Sequence, residues 1–302
     1  MLTKEEVIDR LKSVQDYICE KLESLDGQAK FHEDNWIREE GGGGRTRILS
    51  DGAIIEKGGV NFSAVHGPVS DVMKKQLGLD GNEFLATGVS IVIHPKNPFH
   101  PIMHMNVRYF EMDTGAYWFG GGIDMTPHYI DFDKARIFHT DLKGVCDQYN
   151  PDFYSRFKNW ADDYFYIPHR NETRGVGGIF YDHLSEKDGL PKDELLNFAI
   201  DLGELFPKVY ADQINSDRSP KFSVDNEEWR NLRRGRYVEF NLVNDRGTKF
   251  GLKTGGRIES ILMSLPKNAS WFYDFKAQES SKEEETLKWL KKDVDWLNGA
   301  GE

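Results

Sequence analysis

The stretch ATGVSIVIHPKNPFHPIMHMNVRYFE, residues 86–111, holds two runs of alternating side chains joined by a proline-rich connection. A strand sends successive side chains to opposite faces. In the second run this sorts Met103, Met105, Val107 and Tyr109 to one face, and His104, Asn106, Arg108 and Phe110 to the other. In the first run Val89, Ile91 and Ile93 share a face, while Ser90, Val92 and His94 share the opposite one. If the two strands are neighbours, one side packs and Ser90, His94, His104, Asn106 and Arg108 line a cavity wall. Such a polar set is expensive to bury without partners. The plainer alternative is that each caps a backbone group or faces solvent. His100, between Pro98 and Pro101, reads as a surface or structural residue.

Working outward, further strand-like runs fall at about 53–62, 116–123, 237–243 and 248–254, with short turns at DTG (113–115) and NDRG (244–247). Short turns imply antiparallel neighbours. Helical spacing predicts a helix over Thr3 to Leu25, opened by a Thr3/Glu6 capping box, and others over 131–148, 152–166, 191–209 and 283–298. The segment 211–236 is polar enough to read as an exposed excursion. Strands and helices do not alternate one for one. The fold class is therefore α/β of the α+β type, with a large antiparallel sheet covered by helices, and no composition break divides residues 1–302.

The net charge of -11 argues against a nucleic-acid surface, which needs clustered cations. No apolar run reaches the ~20 residues a transmembrane helix requires. The N-terminus lacks the pattern of a secretory signal or transit peptide, so a cytoplasmic location is the expectation. Cys19 and Cys146 form no CxxC and read as buried thiols.

An anionic ligand on so acidic a chain would need a local island of arginines. Five glycine-rich stretches stand out: GGGGRTR (41–47), EKGGVN (56–61), WFGGGIDMTP (118–127), RGVGG (174–178) and LKTGGR (252–257). None has dinucleotide or P-loop spacing. Turn glycines are the ordinary alternative. Arginines nevertheless accompany most of these runs: Arg45 and Arg47, Arg170 and Arg174, Arg257, and more loosely Arg108. Glycine admits close backbone approach, and arginine's planar fork grips carboxylate or phosphate. A polyanionic small molecule suits that combination. Asp124 stands just before Thr126 and Pro127, as either a helix cap or a catalytic carboxylate.

Together GGGGRTR, EKGGVNFSAVHG, VSIVIHPKNPFHPIMHMNVRYFE, WFGGGIDMTPHY, YFYIPHRNETRGVGGIFYDHL and RGRYVEFNLVNDRGTKFGLKTGGRIESILMSLP resemble oxygen-dependent coproporphyrinogen III oxidase, collinearly over about 30–275. Met125 and His128 vary a usually apolar or aromatic neighbourhood, and Thr173 stands where proline is common. The resemblance implies oxidative decarboxylation of two propionates of coproporphyrinogen III to the vinyl groups of protoporphyrinogen IX, as in haem biosynthesis. It also implies a seven-stranded antiparallel sheet flanked by helices, and a homodimer with 237–272 at its interface.

Carried over by position, Asp124 and Arg108 correspond to residues central to catalysis, and His104 to a proton donor. Ser90, Asn106, Val107 and Arg108, with Gly255, Gly256 and Arg257, correspond to substrate contacts. His94, His104, His139 and His169 correspond to four histidines described as ligands of a divalent metal. Molecular oxygen is the implied co-substrate, with no metal or organic cofactor required in the preferred reading. The alternatives are a metal-dependent oxygenase using those histidines and a non-catalytic tetrapyrrole carrier.

Overall fold

The computed structural model describes residues 2–70, 73–74, 81–215 and 218–299. Helix α1 (Lys4–Asp26) opens on the expected capping box: the Thr3 hydroxyl accepts from the Glu6 N–H, and the Glu6 carboxylate from the Thr3 N–H. It stops at Gly27, which takes the left-handed conformation that favours glycine. Strands β1 (His32–Ile37), β2 (Gly42–Ser50), β3 (Ile55–Pro68), β4 (Glu83–Pro95), β5 (Ile102–Met112) and β6 (Tyr117–Thr126) follow. Then come α2 (Phe132–Tyr149), α3 (Phe153–Tyr164), a small hairpin of β7 (Tyr166–Ile167) and β8 (Glu172–Thr173), and β9 (Gly178–Leu184). Helices α4 (Lys192–Asn215), α5 (Val224–Glu239), a π-turn (Phe240–Asn244), α6 (Arg246–Lys253), α7 (Ile258–Leu262) and α8 (Lys282–Trp289) complete the described chain.

Seven strands form one sheet in the order β1-β2-β3-β4-β5-β6-β9, antiparallel throughout. The stretch 86–111 fixes which face is which. Val89, Ile91, Ile93, Met103, Met105, Val107 and Tyr109 are buried in the main core with α1, Phe138 and Leu142 of α2, and Phe198 and Leu202 of α4. Fully burying such a side chain contributes roughly 1.5–3 kcal/mol. A slip of one residue would turn the whole set toward the other face, so the register is strongly specified.

Several expectations are corrected. The segments 237–243 and 248–254 are helical, not strands. Tyr237, Phe240 and Asn241 are buried at helical spacing while Leu242 and Val243 are exposed, and Asp245 caps α6 by accepting from the Thr248 N–H. The polar stretch 211–236 is largely helix, and α5 buries Arg230, Arg233 and Arg234. It does so because Arg234 pairs with Glu56 and Arg233 with Glu172, 2.9 Å away. The last helix ends at Trp289 rather than near 298. There Asp293 takes a left-handed backbone and donates its N–H to Asp162, and Val294 and Trp296 enter the core. Of the two readings of His100, burial removes the surface one and leaves the structural one.

Candidate active site

The face of the sheet opposite the main core forms the floor of a cleft of about 1530 Å³. Its rows run straight across neighbouring strands. Val92 pairs with His104 and His104 with Asp124; Ser90 pairs with Asn106 and Asn106 with Gly122; Gly88 pairs with Arg108 and Arg108 with Gly120. The shared polar face predicted for the two strands is therefore present, and along β5 its members recur roughly every 7 Å. The π-turn, α6 with its cap Asp245, and the connection from α6 to α7 supply the opposite wall through Asn241, Asp245, Arg246, Lys253, Gly255, Gly256 and Arg257.

Glycine keeps the middle of this floor bare. A Cβ on Gly120 would lie 2.7 Å from Arg108 Nε and 2.6 Å from Asp182 Oδ1. Arg108 therefore lies across β6, its Nη2 3.0 Å from Asp182 and its Nη1 donating to Asn106 Oδ1 at 3.0 Å. At the other end of the row, glycines bring a loop onto β6. Cβ atoms at Gly175 and Gly178 would meet Met125 O at 2.2 Å and Ile123 O at 2.0 Å. This close approach carries Arg174 to Asp124.

Asp124 is a strand residue rather than a helix cap, and it is 1% exposed. Its Oδ1 accepts from Arg174 Nη2 at 2.6 Å and stands 2.9 Å from His104 Nδ1, while its Oδ2 accepts from Arg174 Nε at 3.1 Å. Burial alone would raise its pKa. The Arg174 charge and the His104 hydrogen bond outweigh burial and hold it below the usual carboxylate value. Because the carboxylate is an acceptor, Nδ1 carries the proton toward it, and Nε2 of His104 is left without a protein partner among the described residues. His104 borders the cleft with a side chain 22% exposed. The pair thus meets a ligand through the imidazole.

The other expected residues divide. Ser90, Asn106, Arg108, Gly255, Gly256 and Arg257 line the cleft. Arg257 pairs with Asp34 and donates to Ser260 at 3.0 Å. Val107 does not line it; strand alternation places its side chain in the main core, fully buried. Arg45 and Arg47 are also outside, paired with Asp16 at 2.6 and 2.7 Å, and Arg170 pairs with Glu239 at 2.6 Å. The arginine island consists instead of Arg108, Arg174 and Arg257, joined by Arg38 and Arg246.

The four-histidine ligand set is not assembled. His94 is buried, does not itself line the cleft, and donates from Nε2 to Ser264 O at 2.8 Å. Burial also holds its pKa well below the ordinary value, with nearby Arg234 adding to the effect. His139 is locked behind β6, donating from Nε2 to Val176 O and accepting from Tyr154 OH, both at 3.0 Å, and burial lowers its pKa to about 4. His169 is exposed and sits 2.9 Å from Glu239. His94 Nε2, both ring nitrogens of His139 and His169 Nε2 are committed to separate partners, and no group of three His, Cys, Asp or Glu among the described residues is placed to hold a metal ion. These residues do not fit the implied metal.

Arg174 was expected only as one of the anion-binding arginines, and Asp182 received no role from the sequence. Arg174 carried a signal in its neighbouring glycines, since RGVGG permits the loop to lie on another strand. Asp182 carried none, because its partner Arg108 is brought close only by the β6–β9 pairing.

A family profile described as Coproporphyrinogen III oxidase matches residues 6–296. The chain is 47% identical over 302 residues to the chloroplastic oxygen-dependent coproporphyrinogen-III oxidase of Glycine max, covering 95% of this chain and 78% of that one. It is 44% identical to the oxygen-dependent coproporphyrinogen-III oxidase of Prochlorococcus marinus (strain AS9601), covering 98% and 93%. Against the mitochondrial enzyme of Rattus norvegicus the identity is 46%, covering 99% and 69%.

Proposed function

The chain belongs to the coproporphyrinogen III oxidase family, and on that premise we propose that the cleft is the site at which it converts two propionates of coproporphyrinogen III to vinyl groups. It is an oxidoreductase that acts by oxygen-dependent decarboxylation. The observation that carries the site assignment is the His104–Asp124 pair set in one floor row with Arg108 two rows along. A proton acceptor and a carboxylate-binding fork thus share one face, as a porphyrinogen with acidic side chains requires.

In this reading Arg108 and Arg257 hold propionates of the substrate with parallel charge-assisted hydrogen bonds. His104, its Nδ1–H held by Asp124, accepts a pyrrole N–H proton at Nε2, and the ring becomes electron-rich. Oxygen adds to that ring. The ring-bound peroxide then takes a proton from the propionate carbon next to the pyrrole, whose C–H electron pair moves into the ring as the carbon–oxygen bond breaks and hydroperoxide leaves. The bond to the carboxyl carbon breaks and its electron pair forms the vinyl double bond. The ring nitrogen recovers its proton from His104, and hydroperoxide takes up one further proton. Each turn consumes one propionate, one oxygen and one proton, and releases one vinyl, one carbon dioxide and one hydrogen peroxide. No resident metal or organic cofactor is part of this proposal, and the separate commitments of His94, His139 and His169 support that reading.

Two companion proposals go with it. A homodimer across 237–272 is supported by the exposed apolar side chains Leu242, Val243, Leu252 and Ile258, which sedimentation of the purified chain tests. A cytoplasmic location is tested by fractionating the source cells. For the activity itself, purified protein is incubated with coproporphyrinogen III with and without oxygen, and the product mass is followed. Loss of two carboxyl groups only under oxygen is the expected result; retention of all four would overturn it.

A further inference from the structure

The guanidinium of Arg174 borders the cleft yet is committed to the protein. Its side chain is 2% exposed. Nε and Nη2 grip both oxygens of Asp124 at 3.1 and 2.6 Å, and Nη1 donates to Asn241 Oδ1 at 3.0 Å. Three rings cover it, with Phe165, Tyr237 and Phe240 centroids 4.5, 4.7 and 4.6 Å from its central carbon. Little of the group is left over to bind a substrate carboxylate. Two of its anchors, Phe240 and Asn241, belong to the π-turn that leads into the covering helices α6 and α7. Irregular helical turns of this kind recur at functional sites.

An arginine is charged throughout the working pH range and its fork matches a carboxylate edge-on. A carboxylate gripped on both oxygens can neither rotate nor pick up a proton without losing the grip. We propose that Arg174 is a positioning residue: it fixes Asp124 as an oriented carboxylate, so that the Nδ1 proton of His104 is held and Nε2 faces the cleft before substrate arrives. The proposal rests on the reading of His104 and Asp124 given above. The anchor at Asn241 means that this orientation is set jointly by β6 and the covering segment.

The test combines a kinetic cycle with a readout that needs no substrate. Arg174→Gln, Asp124→Asn and the double variant are compared with wild type in the whole enzyme. Each single change is expected to lower kcat on the order of 100-fold or more with KM moving less than about threefold, while the double loses no more than the worse single, because one residue acts through the other. Multiplicative losses would overturn the inference. Arg174→Lys keeps the charge without the fork and is expected to recover roughly tenfold over Arg174→Gln. In parallel, the downfield proton resonance of His104 Nδ1–H, identified by its loss in His104→Gln, is expected in wild type and lost in Arg174→Gln. Its persistence unshifted there would contradict the proposal even if no substrate were turned over. Should Arg174→Gln not fold, the Lys variant and the charge-neutral double variant carry the same comparison.

Discussion

Gly120→Ala separates the site from the scaffold. The added methyl would sit 2.7 Å from Arg108 Nε, 2.9 Å from Arg108 Nη2 and 2.6 Å from Asp182 Oδ1. All three are ends of side chains, so the pair can swing aside and the backbone need not move. Replacing glycine also reduces the freedom of the unfolded chain, worth about 0.4–1 kcal/mol in favour of folding. Net stability should therefore change by less than about 1 kcal/mol. Function should not be spared, because the displaced fork loses its charge-assisted hydrogen bonds to a bound propionate, at about 1.5–3 kcal/mol. At about 1.4 kcal/mol per tenfold that is roughly a 10- to 100-fold loss in kcat/KM. Thermal unfolding and steady-state decarboxylation of coproporphyrinogen III measure the two arms. Gly122→Ala is the control: its methyl would meet Ile179 O, a backbone atom, at 2.7 Å, so this variant should lose stability first. Wild-type kcat/KM in Gly120→Ala, or equal loss of stability in the two variants, would refute the reasoning.

Other consequences can be measured on the same protein. His104→Gln removes the proton acceptor and should lower kcat on the order of 100- to 10,000-fold while binding of substrate, followed by fluorescence quenching, survives. Arg257→Ala should raise KM roughly 10- to 100-fold with kcat nearly kept, since it holds a carboxylate away from the reacting pyrrole. Acid should weaken the fold through His139. Its pKa falls from the ordinary 6.5 to about 4 on burial. The unfolded chain therefore takes up the proton first, and stability present above about 6.5 is lost as pH falls toward 4, by about 3 kcal/mol in all. Buried His94 and His128 act in the same direction. Urea unfolding at pH 7 and pH 5 should show the decline, and His139→Phe should flatten it; an unchanged slope in the variant would count against this assignment.

The sheet and the site were legible where alternation is strict. Residues 86–111 announced two buried faces and a polar wall, and the register places Ser90 opposite Asn106 as that reading requires. Glycine-rich and aromatic stretches were not legible in the same way. Gly43 and Gly44 give β2 no alternation to read, yet they admit Trp36 and Phe62 closely from the neighbouring strands. FNLVN carries strand-forming residues but ends at an aspartate that caps a helix, and tertiary burial of Phe240 decides the outcome. In the site, Asp124 and His104 were found as residues, but the direction of their interaction was not. The contact depends on β5 pairing with β6 and on Arg174 arriving from a distant loop, and neither is a local property of the chain. The histidine cluster failed for a related reason: one strand, one helix and one loop place His94, His139 and His169 against three different backbones or carboxylates.

Stoichiometry is the most direct measure of the proposed reaction. Chelator-treated enzyme supplied with coproporphyrinogen III and a measured amount of oxygen should release two carbon dioxide and two hydrogen peroxide for each protoporphyrinogen IX formed. Decarboxylation that consumes no oxygen, or that returns only when a metal ion is restored, would contradict it.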